Sequence, residues 1–148
     1  MKRMFYIFLI GISSIVLVSC GNGKTQSGNG EVVKAAMARA PANSITGEWT
    51  DDSCITLDTK KLYENSYASY FQLTLTSARN ITIDLTSSQD PYLLLRSGGR
   101  TSGSVHARND DIDREGQNYN SRITSTLSAG TYTIEATTYG YENTGSFS

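Results

Sequence analysis

Five side chains that carry oxygen atoms could form a cation site. They are Asp90, Asn109, Asp110, Asp111 and Asp113. Calcium takes about six to eight oxygen ligands, so these residues would suit it if the turn at Asp90 meets the 109–113 loop. Their spacing does not match an EF-hand loop. The alternative interpretation is that they are turn residues, whose short polar side chains bond to the backbone and end strands.

Aromatic side chains form a second group with the chemistry to bind a ligand. Exposed rings can stack on the apolar faces of sugars, and Tyr139 and Tyr141 lie on either side of a glycine in a predicted loop. The aromatic candidates for such a surface are Trp49, Tyr92, Tyr119, Tyr139 and Tyr141. The alternative is that these residues belong to ordinary strands and turns.

The sequence contains no convincing catalytic constellation. Its single histidine, His106, excludes the familiar zinc sites built on two or three histidines. Ser104 and His106 alternate in one predicted strand, but no third group accompanies them, so we interpret His106 as a solvent-facing residue. The carboxylates of residues 110–115 are adjacent in sequence, and nothing sets the pKa of one apart from another, as acid–base catalysis requires. We therefore predict a protein that is not an enzyme.

The first 19 residues have the pattern of a secretion signal. Met1-Lys2-Arg3 is positively charged, and the apolar stretch of 15 residues from Met4 to Val18 is shorter than an ordinary membrane span. The stretch ends in Leu17-Val18-Ser19-Cys20-Gly21, which resembles the lipobox of bacterial lipoproteins. This resemblance implies a signal peptide over residues 1–19 and lipidation of Cys20. The alternatives are an ordinary signal peptide that contains a cysteine, or an uncleaved anchor.

Removal of the leader would leave a slightly acidic protein that is tied to a membrane. The mature chain has 11 basic and 14 acidic residues, a net charge of −3, and its lack of a basic patch makes nucleic acid an unsuitable partner. Residues 20–44 are rich in Gly, Ser, Asn and Ala and are interpreted as the lipidated cysteine and a flexible tether. With Cys20 lipidated, Cys54 is expected to be a buried free thiol. The expected location is the bacterial cell envelope, at the outer membrane or cell surface.

Residues 45–148 alternate between apolar and polar side chains in short runs bounded by turn residues, which is typical of strands. The runs predict about eight or nine strands, at 45–50, 53–58, 67–77, 80–86, 92–96, 102–108, 120–127, 130–138 and from Thr144. The run at 92–96 is apolar up to Arg96 and predicts a central strand, and residues 78–80 suggest a hairpin. The last run suggests either a short edge strand or a chain that is missing its natural end. The natural solution is an all-β fold, an antiparallel β-sandwich.

Several motifs in this region resemble the bacterial pre-peptidase C-terminal domain family, in the family's order. They are Tyr70-Phe71-Gln72-Leu73, Asn80 to Leu85, Asp90 to Leu95, Asn109-Asp110-Asp111, Asn120-Ser121-Arg122-Ile123, Ala129 to Ile134, and Thr144 to Phe147. The resemblance implies a non-catalytic, jelly-roll-like sandwich of a kind that accompanies secreted enzymes and surface proteins, and some related sandwich domains bind calcium.

The sequence therefore predicts a lipid-anchored envelope module that binds a partner protein or a polysaccharide, with calcium as the implied cofactor. One alternative is an accessory of a secreted peptidase or hydrolase, acting in its secretion or localisation. Another is a purely structural envelope component. Arg122 is expected to form an ion pair with the acidic loop.

Overall fold

The computed structural model describes residues 12–18, 44–56, 66–100 and 103–148 of the 148-residue chain. Within these ranges the chain forms strands and turns. The strands are β1 (Ile12–Val18), β2 (Gly47–Trp49), β3 (Cys54–Ile55), β4 (Tyr67–Leu75), β5 (Arg79–Leu85), β6 (Pro91–Ser97), β7 (Ser104–Asn109), β8 (Ser121–Leu127), β9 (Gly130–Thr138) and β10 (Gly145–Phe147). No helix in the described ranges has the length and apolar character that crossing a membrane requires.

Eight of the strands form a sandwich of two antiparallel layers. One layer has the order β4-β9-β6-β7. The other joins the pairs β2-β10 and β5-β8, because Thr86 and Ser148 exchange backbone hydrogen bonds of 2.8 and 3.1 Å beyond the ends of β5 and β10. Its order is therefore β2-β10-β5-β8. These two strand orders are those of a jelly roll, and the all-β antiparallel sandwich predicted from the sequence is confirmed.

The core lies between the two layers because each layer turns one face of alternating apolar residues inward. In β4 the buried residues of this face are Phe71, Leu73 and Leu75, as the alternation predicts. Trp49 is fully buried among them; its indole N–H donates to the backbone oxygen of Ala136 at 3.0 Å. Its ring centroid lies 4.6 Å from that of Phe147, so β2 and β10 close the sandwich through their side chains as well as their backbones.

The predicted positions of the strands agree closely with the structure, whereas one predicted hairpin and the predicted edge position of the last strand are wrong. The hairpin expected at residues 78–80 is absent because β4 and β5 belong to opposite layers, with β4 paired to β9 and β5 to β8. The last strand is not an edge strand, because β10 lies between β2 and the end of β5. Strand β6 is central as predicted, with neighbours on both sides and its first six residues buried.

Strand β1 lies outside the eight strands of the sandwich. It comes from the apolar part of the predicted signal peptide and pairs antiparallel with β4, from Ile12 opposite Leu75 to Val18 opposite Tyr70. The short strand β3 pairs with the beginning of β4, where Cys54 stands opposite Ala68. One edge of β4 is therefore covered by two short segments, and its other edge is paired with β9.

The outer face of the larger layer is buried as well and contains an ion pair. Glu135 is fully buried, and its Oε2 accepts hydrogen bonds from Nε and an Nη atom of Arg96 at 2.9 and 2.7 Å. Its Oε1 accepts from the hydroxyls of Thr56 and Tyr70 at 2.6 and 3.1 Å. Four donor atoms thus surround the two carboxylate oxygens of Glu135, and an ion pair with such additional hydrogen bonds offsets the cost of burying the two groups.

Cys54 departs from expectation in one respect. It is buried, with 4% of its surface exposed, but it is disulfide-bonded, so the predicted free thiol is wrong. The only other cysteine of the sequence is Cys20, and both Cys20 and the predicted tether up to residue 43 lie outside the described residues.

Candidate metal centre

Two neighbouring strands bring acidic residues together at one end of the larger layer. Asp90 directly precedes β6, and Asp110 and Asp111 directly follow β7. Because β6 and β7 are antiparallel and adjacent, with Leu93 opposite Asn109, the start of one strand lies beside the end of the other. Asp90 turns there with a left-handed φ of 51°, a conformation that Asp and Asn adopt more readily than most residues.

Asp90, Asp110 and Asp111 together form what we call the acidic cluster. One carboxylate oxygen of each residue lies within 4.8 Å of the others. An Oδ1 atom of Asp110 and one of Asp111 are buried and have no hydrogen-bond donor. Buried polar atoms normally have a partner, so two unpaired acceptors that share a site with a third carboxylate indicate a place for a positive group.

The electrostatics of the acidic cluster are unfavourable when all three groups are ionised. Burial raises the pKa of Asp110 above its ordinary value, and the charges of Asp111 and Asp90 raise this pKa further. Burial and then the charge of Asp111 raise the pKa of Asp90 in the same way, because its carboxyl is partly withdrawn from water although the residue is exposed. Arg114 opposes both shifts, but its Nε lies 4.0 Å from Asp111 and its side chain is 83% exposed.

The other two predicted metal ligands make different bonds. The side-chain oxygen of Asn109 accepts a hydrogen bond from the backbone N–H of Arg122 at 2.8 Å, and its amide nitrogen donates to the backbone oxygen of Asp111 at 3.2 Å. Asp113 accepts from the backbone N–H of Gly116 at 2.9 Å, as a turn residue does. Of the five predicted residues, the structure thus brings three together and uses two to shape the loop.

The start of β8 holds the acidic cluster in place. The hydroxyl oxygen of Ser121 lies 2.5 Å from the backbone oxygen of Pro91 and 2.6 Å from that of Asp110. This single buried side chain therefore links the segment after Asp90 to the segment that carries the other two carboxylates. The motifs at residues 90–95, 109–111 and 120–123 meet here.

The ion pair expected between Arg122 and the acidic loop does not form. The guanidinium of Arg122 instead contacts the carboxylate of Asp84 at 2.5 Å, because Asp84 stands directly opposite Arg122 in the β5–β8 pair. This hydrogen bond raises the pKa of Arg122 above its ordinary value. Only the backbone of Arg122 serves the loop, through the bond to Asn109.

An open depression of about 500 Å³ lies beside the acidic cluster. It is lined by Tyr92, Arg108, Asn109, Asp110, Asp111, Arg114 and Tyr139. Tyr139 is 39% exposed and lies with its ring centroid 6.4 Å from that of buried Tyr92. Its backbone N–H donates to the backbone oxygen of Asp90 at 2.8 Å. One of the two predicted ligand-binding tyrosines therefore belongs to the same site as the predicted metal ligands.

The remaining aromatic candidates are separated by burial and position. Tyr119 and Tyr141 are exposed, at 48% and 54% of their surfaces, but neither lines the depression. Trp49 is in the core, and Tyr92 is only 5% exposed, so these two rings cannot offer a face to a sugar. The aromatic part of the site in the described residues is Tyr139, supported from below by Tyr92.

Two arginines of the depression were not anticipated as site residues. Arg108 ends the predicted strand at 102–108, which corresponds to β7, and Arg114 lies in the acidic loop between Asp113 and Glu115. Neither arginine belongs to a sequence motif that would mark it as a site residue. The pairing of β6 with β7 is what makes them neighbours of the acidic cluster.

In the described residues, the contact that most resembles a catalytic pair lies between β7 and β8, outside the acidic cluster. Nε2 of His106 is 3.1 Å from the hydroxyl oxygen of Ser125, and its ring contacts Tyr132 edge to face at 6.4 Å. His106 is exposed, as the alternation predicts. Ser104, its expected neighbour on the strand, is not its partner in this contact.

Comparison with family models, curated proteins and solved structures finds no match for this chain, and the family resemblance therefore rests on the sequence motifs alone.

Proposed function

We propose that this chain is a lipid-anchored envelope protein whose sandwich is a non-catalytic binding module stabilised by calcium. The observation that carries the proposal is the acidic cluster, in which three carboxylates converge within 4.8 Å and two of their buried oxygens have no donor. A turn residue would direct its side chain at a backbone N–H, as Asp113 does. The convergence of three charges is better explained by a cation between them.

Calcium suits the site better than a transition metal does. All three groups are hard oxygen ligands, and the cluster contains neither histidine nor cysteine. Three carboxylates supply three to six of the about six to eight oxygens that calcium takes, depending on whether they bind through one oxygen or two. Asp110 and Asp111 line the open depression, so water or hydroxyl groups of a ligand can reach the ion and supply the remaining positions.

Binding of calcium is tested by calorimetric titration of the calcium-free protein. The wild type is expected to bind one ion, whereas Asp110→Asn loses a charged ligand and is expected to bind at least tenfold more weakly. Glu115→Gln is the matched control, because Glu115 is exposed in the same loop and the substitution removes the same charge. A wild type that releases no heat and keeps its melting temperature in the presence of a chelator would contradict the proposal.

The ligand class that the depression favours is an envelope polysaccharide. Tyr139 offers a partly exposed ring beside the acidic cluster, and Arg108 and Arg114 add positive charge to the rim. Hydroxyl groups of a sugar can complete the coordination of calcium while the ring stacks on Tyr139.

Binding of polysaccharide is measured on a glycan array in calcium and in chelator. Tyr139→Ala is expected to reduce calcium-dependent binding, and Tyr141→Ala, which removes a ring outside the depression, is expected to leave it unchanged. Absence of any bound glycan would argue for a protein partner instead.

The lipid anchor is supported by the sequence from Met1 to Gly21, and it places a constraint on the cysteines. The sequence has only two cysteines, Cys20 and Cys54, so a thioether at Cys20 and the disulfide at Cys54 need the same thiol and exclude each other. The mass of the protein extracted from membranes distinguishes the two states. A lipidated chain is expected to begin at Cys20 and to react with one equivalent of maleimide after unfolding. A chain that retains residues 1–19 and has no free thiol would refute the anchor.

A further inference from the structure

We propose that one end of the sandwich is a docking surface for an extended segment of another protein that is rich in lysine and arginine. This end, which we call the loop end, consists of the segments 50–55, 86–90, 110–120 and 139–144. The inference goes beyond the proposed function and does not rest on calcium, on a sugar or on the lipid anchor.

Strand pairing brings the four segments of the loop end together. Pro91 stands opposite Thr138, so the segment before β6 and the segment after β9 are neighbours. The start of β8 contacts both the segment after β7 and the first residue of β6. The hydroxyl of Tyr67, at the start of β4, donates to the carboxylate of Asp51 at 3.3 Å and ties the segment after β2 to the same end.

Exposed apolar surface is concentrated at the loop end. All the large apolar or aromatic side chains that are exposed in the described residues lie in its segments, with exposed fractions from 37% to 54%. They are Ile55, Ile112, Tyr119, Tyr139 and Tyr141. Single apolar residues scattered over a surface need no explanation, but such side chains gathered at one end mark an interaction site. Tyrosine in particular is enriched where proteins bind each other.

The charge of the loop end selects the partner. Eight of the eleven acidic residues in the described ranges lie in its segments, where Arg114 is the one basic residue. Arg108, at the adjoining end of β7, offsets only part of this charge. Nucleic acid, an anionic lipid surface or an acidic polysaccharide is therefore repelled by this end, whereas a cationic partner is attracted to it.

The carboxylates of the loop end form two groups, which favours an extended partner. The acidic cluster and its loop form the first group. The second lies around Tyr67, where burial raises the pKa of the phenol and the charges of Asp51 and Glu142 raise this pKa further. Tyr141, next to Glu142 in the chain, exposes 54% of its surface. A single cation can meet only one group, whereas an extended segment can contact both and place its cationic side chains on the tyrosine rings.

The test is the fluorescence anisotropy of a labelled peptide of about 12 residues in which lysine alternates with glycine, a chain that spans roughly 40 Å when extended. It is titrated with the full chain in chelator, so that calcium plays no part in the result. The wild type is expected to bind this lysine peptide, and to bind a peptide in which glutamate replaces lysine at least tenfold more weakly. Binding of the lysine peptide is expected to weaken as salt rises, because exposed charges are screened.

Substitution of the rings distinguishes a docking surface from attraction by charge alone. Tyr119→Ala/Tyr141→Ala keeps every charge and is expected to bind the lysine peptide about tenfold more weakly, since two aromatic contacts are lost. Tyr119→Phe/Tyr141→Phe keeps the rings and is expected to restore most of the affinity. Both tyrosines are exposed, so each variant is expected to keep the urea midpoint of the wild type, which shows that it is folded.

Two matched serine substitutions test the position of the surface. Ser88→Lys adds a positive charge at the loop end, and Ser128→Lys adds the same charge in the turn between β8 and β9 at the opposite end. Both serines are exposed. The first variant is expected to bind the lysine peptide about fivefold more weakly than the wild type, and the second within about twofold of it.

Four results would overturn the inference. They are a wild type that does not bind the lysine peptide, equal binding of the glutamate peptide, binding that the alanine variant leaves unchanged, and equal effects of the two serine substitutions. Failure of the proposed function is distinguishable from each of these, because a titration in chelator does not depend on the binding of calcium. A wild type that binds glycans in calcium but does not bind the lysine peptide would retain the proposed function alone.

Discussion

Replacement of Asp110 with Asn is expected to make the protein more stable than the wild type without calcium and less stable than the wild type in excess calcium. Without calcium the variant is expected to be more stable than the wild type, because the substitution removes one of three like charges. The carboxylate oxygens lie within 4.8 Å of one another, and two charges at that upper limit repel each other by about 3.5 kcal/mol at an effective dielectric constant near 20. Exposure of Asp90 and screening by salt reduce this effect, so we expect a gain of about 1 kcal/mol, or roughly 4–8 °C in melting temperature.

Calcium is expected to reverse this order. A ligand at a concentration 100 times its Kd stabilises the folded state by about 2.7 kcal/mol. The wild type receives this stabilisation, whereas Asp110→Asn binds the ion more weakly and receives little of it. The wild type is therefore expected to become more stable than the variant by about 1–2 kcal/mol.

The assay is urea unfolding of both proteins in chelator and in excess calcium, with Glu115→Gln as the control for net charge. The control is expected to follow the wild type under both conditions. Two results would refute the reasoning. One is a calcium-free Asp110→Asn that is less stable than the wild type, which would mean that the carboxylate makes a stabilising bond of the kind that turn residues make. The other is a wild type whose unfolding midpoint does not respond to calcium.

Three further predictions concern charges elsewhere in the molecule and the pH response. In chelator, stability is expected to rise as the pH falls from neutral through the raised pKa values of Asp90 and Asp110 toward the ordinary value of 3.8. The reason is that these carboxylates take up protons in the folded protein before they do so in the unfolded chain. Urea unfolding midpoints measured over this range would contradict the prediction if they did not change with pH. Glu135→Gln is expected to lose about 3–5 kcal/mol in thermal or urea unfolding because it leaves Arg96 buried without its counter-ion, and a loss below 1 kcal/mol would contradict this. Arg122→Ala is expected to lose less than about 1 kcal/mol, since its pair with Asp84 is half exposed, and to leave calcium affinity unchanged in titration; weakened affinity would show that the side chain serves the site.

The strands were predictable because their signal is local. Phe71, Leu73 and Leu75 alternate with polar residues, and this period places them on one face whatever the partner strand is. The run at 92–96, apolar up to Arg96, likewise identified a strand buried on both faces. The hairpin at 78–80 was wrongly predicted because alternation indicates which face of a strand is buried but not which strand pairs with it.

Partners across strands were much less predictable. Arg122 had possible ion-pair partners both in the acidic loop before it and at Asp84, 38 residues earlier in the chain. The register of β5 with β8 places Asp84 directly opposite Arg122, and this pair forms. Glu135 lies on the face of β9 that points away from the core between the layers, so alternation predicts that it is exposed to solvent. In the structure this outer face is buried, and Glu135 pairs with Arg96. Neither outcome has a local signature, since each depends on contacts between residues far apart in the chain.

The candidate site was partly predictable. Short runs of Asp and Asn indicated an acidic loop, and the guess that Asp90 meets it is supported by the pairing of β6 with β7. The sequence did not indicate that Asn109 and Asp113 would satisfy backbone groups while Asp110 and Asp111 keep unpaired oxygens. That division depends on the exact path of the loop, which Ser121 fixes from a different strand.

The pairing of β2 with β10 has a consequence for how this domain is made. Gly47 stands opposite Phe147, 100 residues later, and the ring of Trp49 packs against that of Phe147 at the other end of the domain. A chain that emerges from a ribosome or a translocation channel with its N-terminus first therefore presents β2 long before β10 exists. Contacts so distant in sequence form slowly, because a long loop must close before they add stability. The sandwich is consequently expected to close as one late event after β10 has emerged.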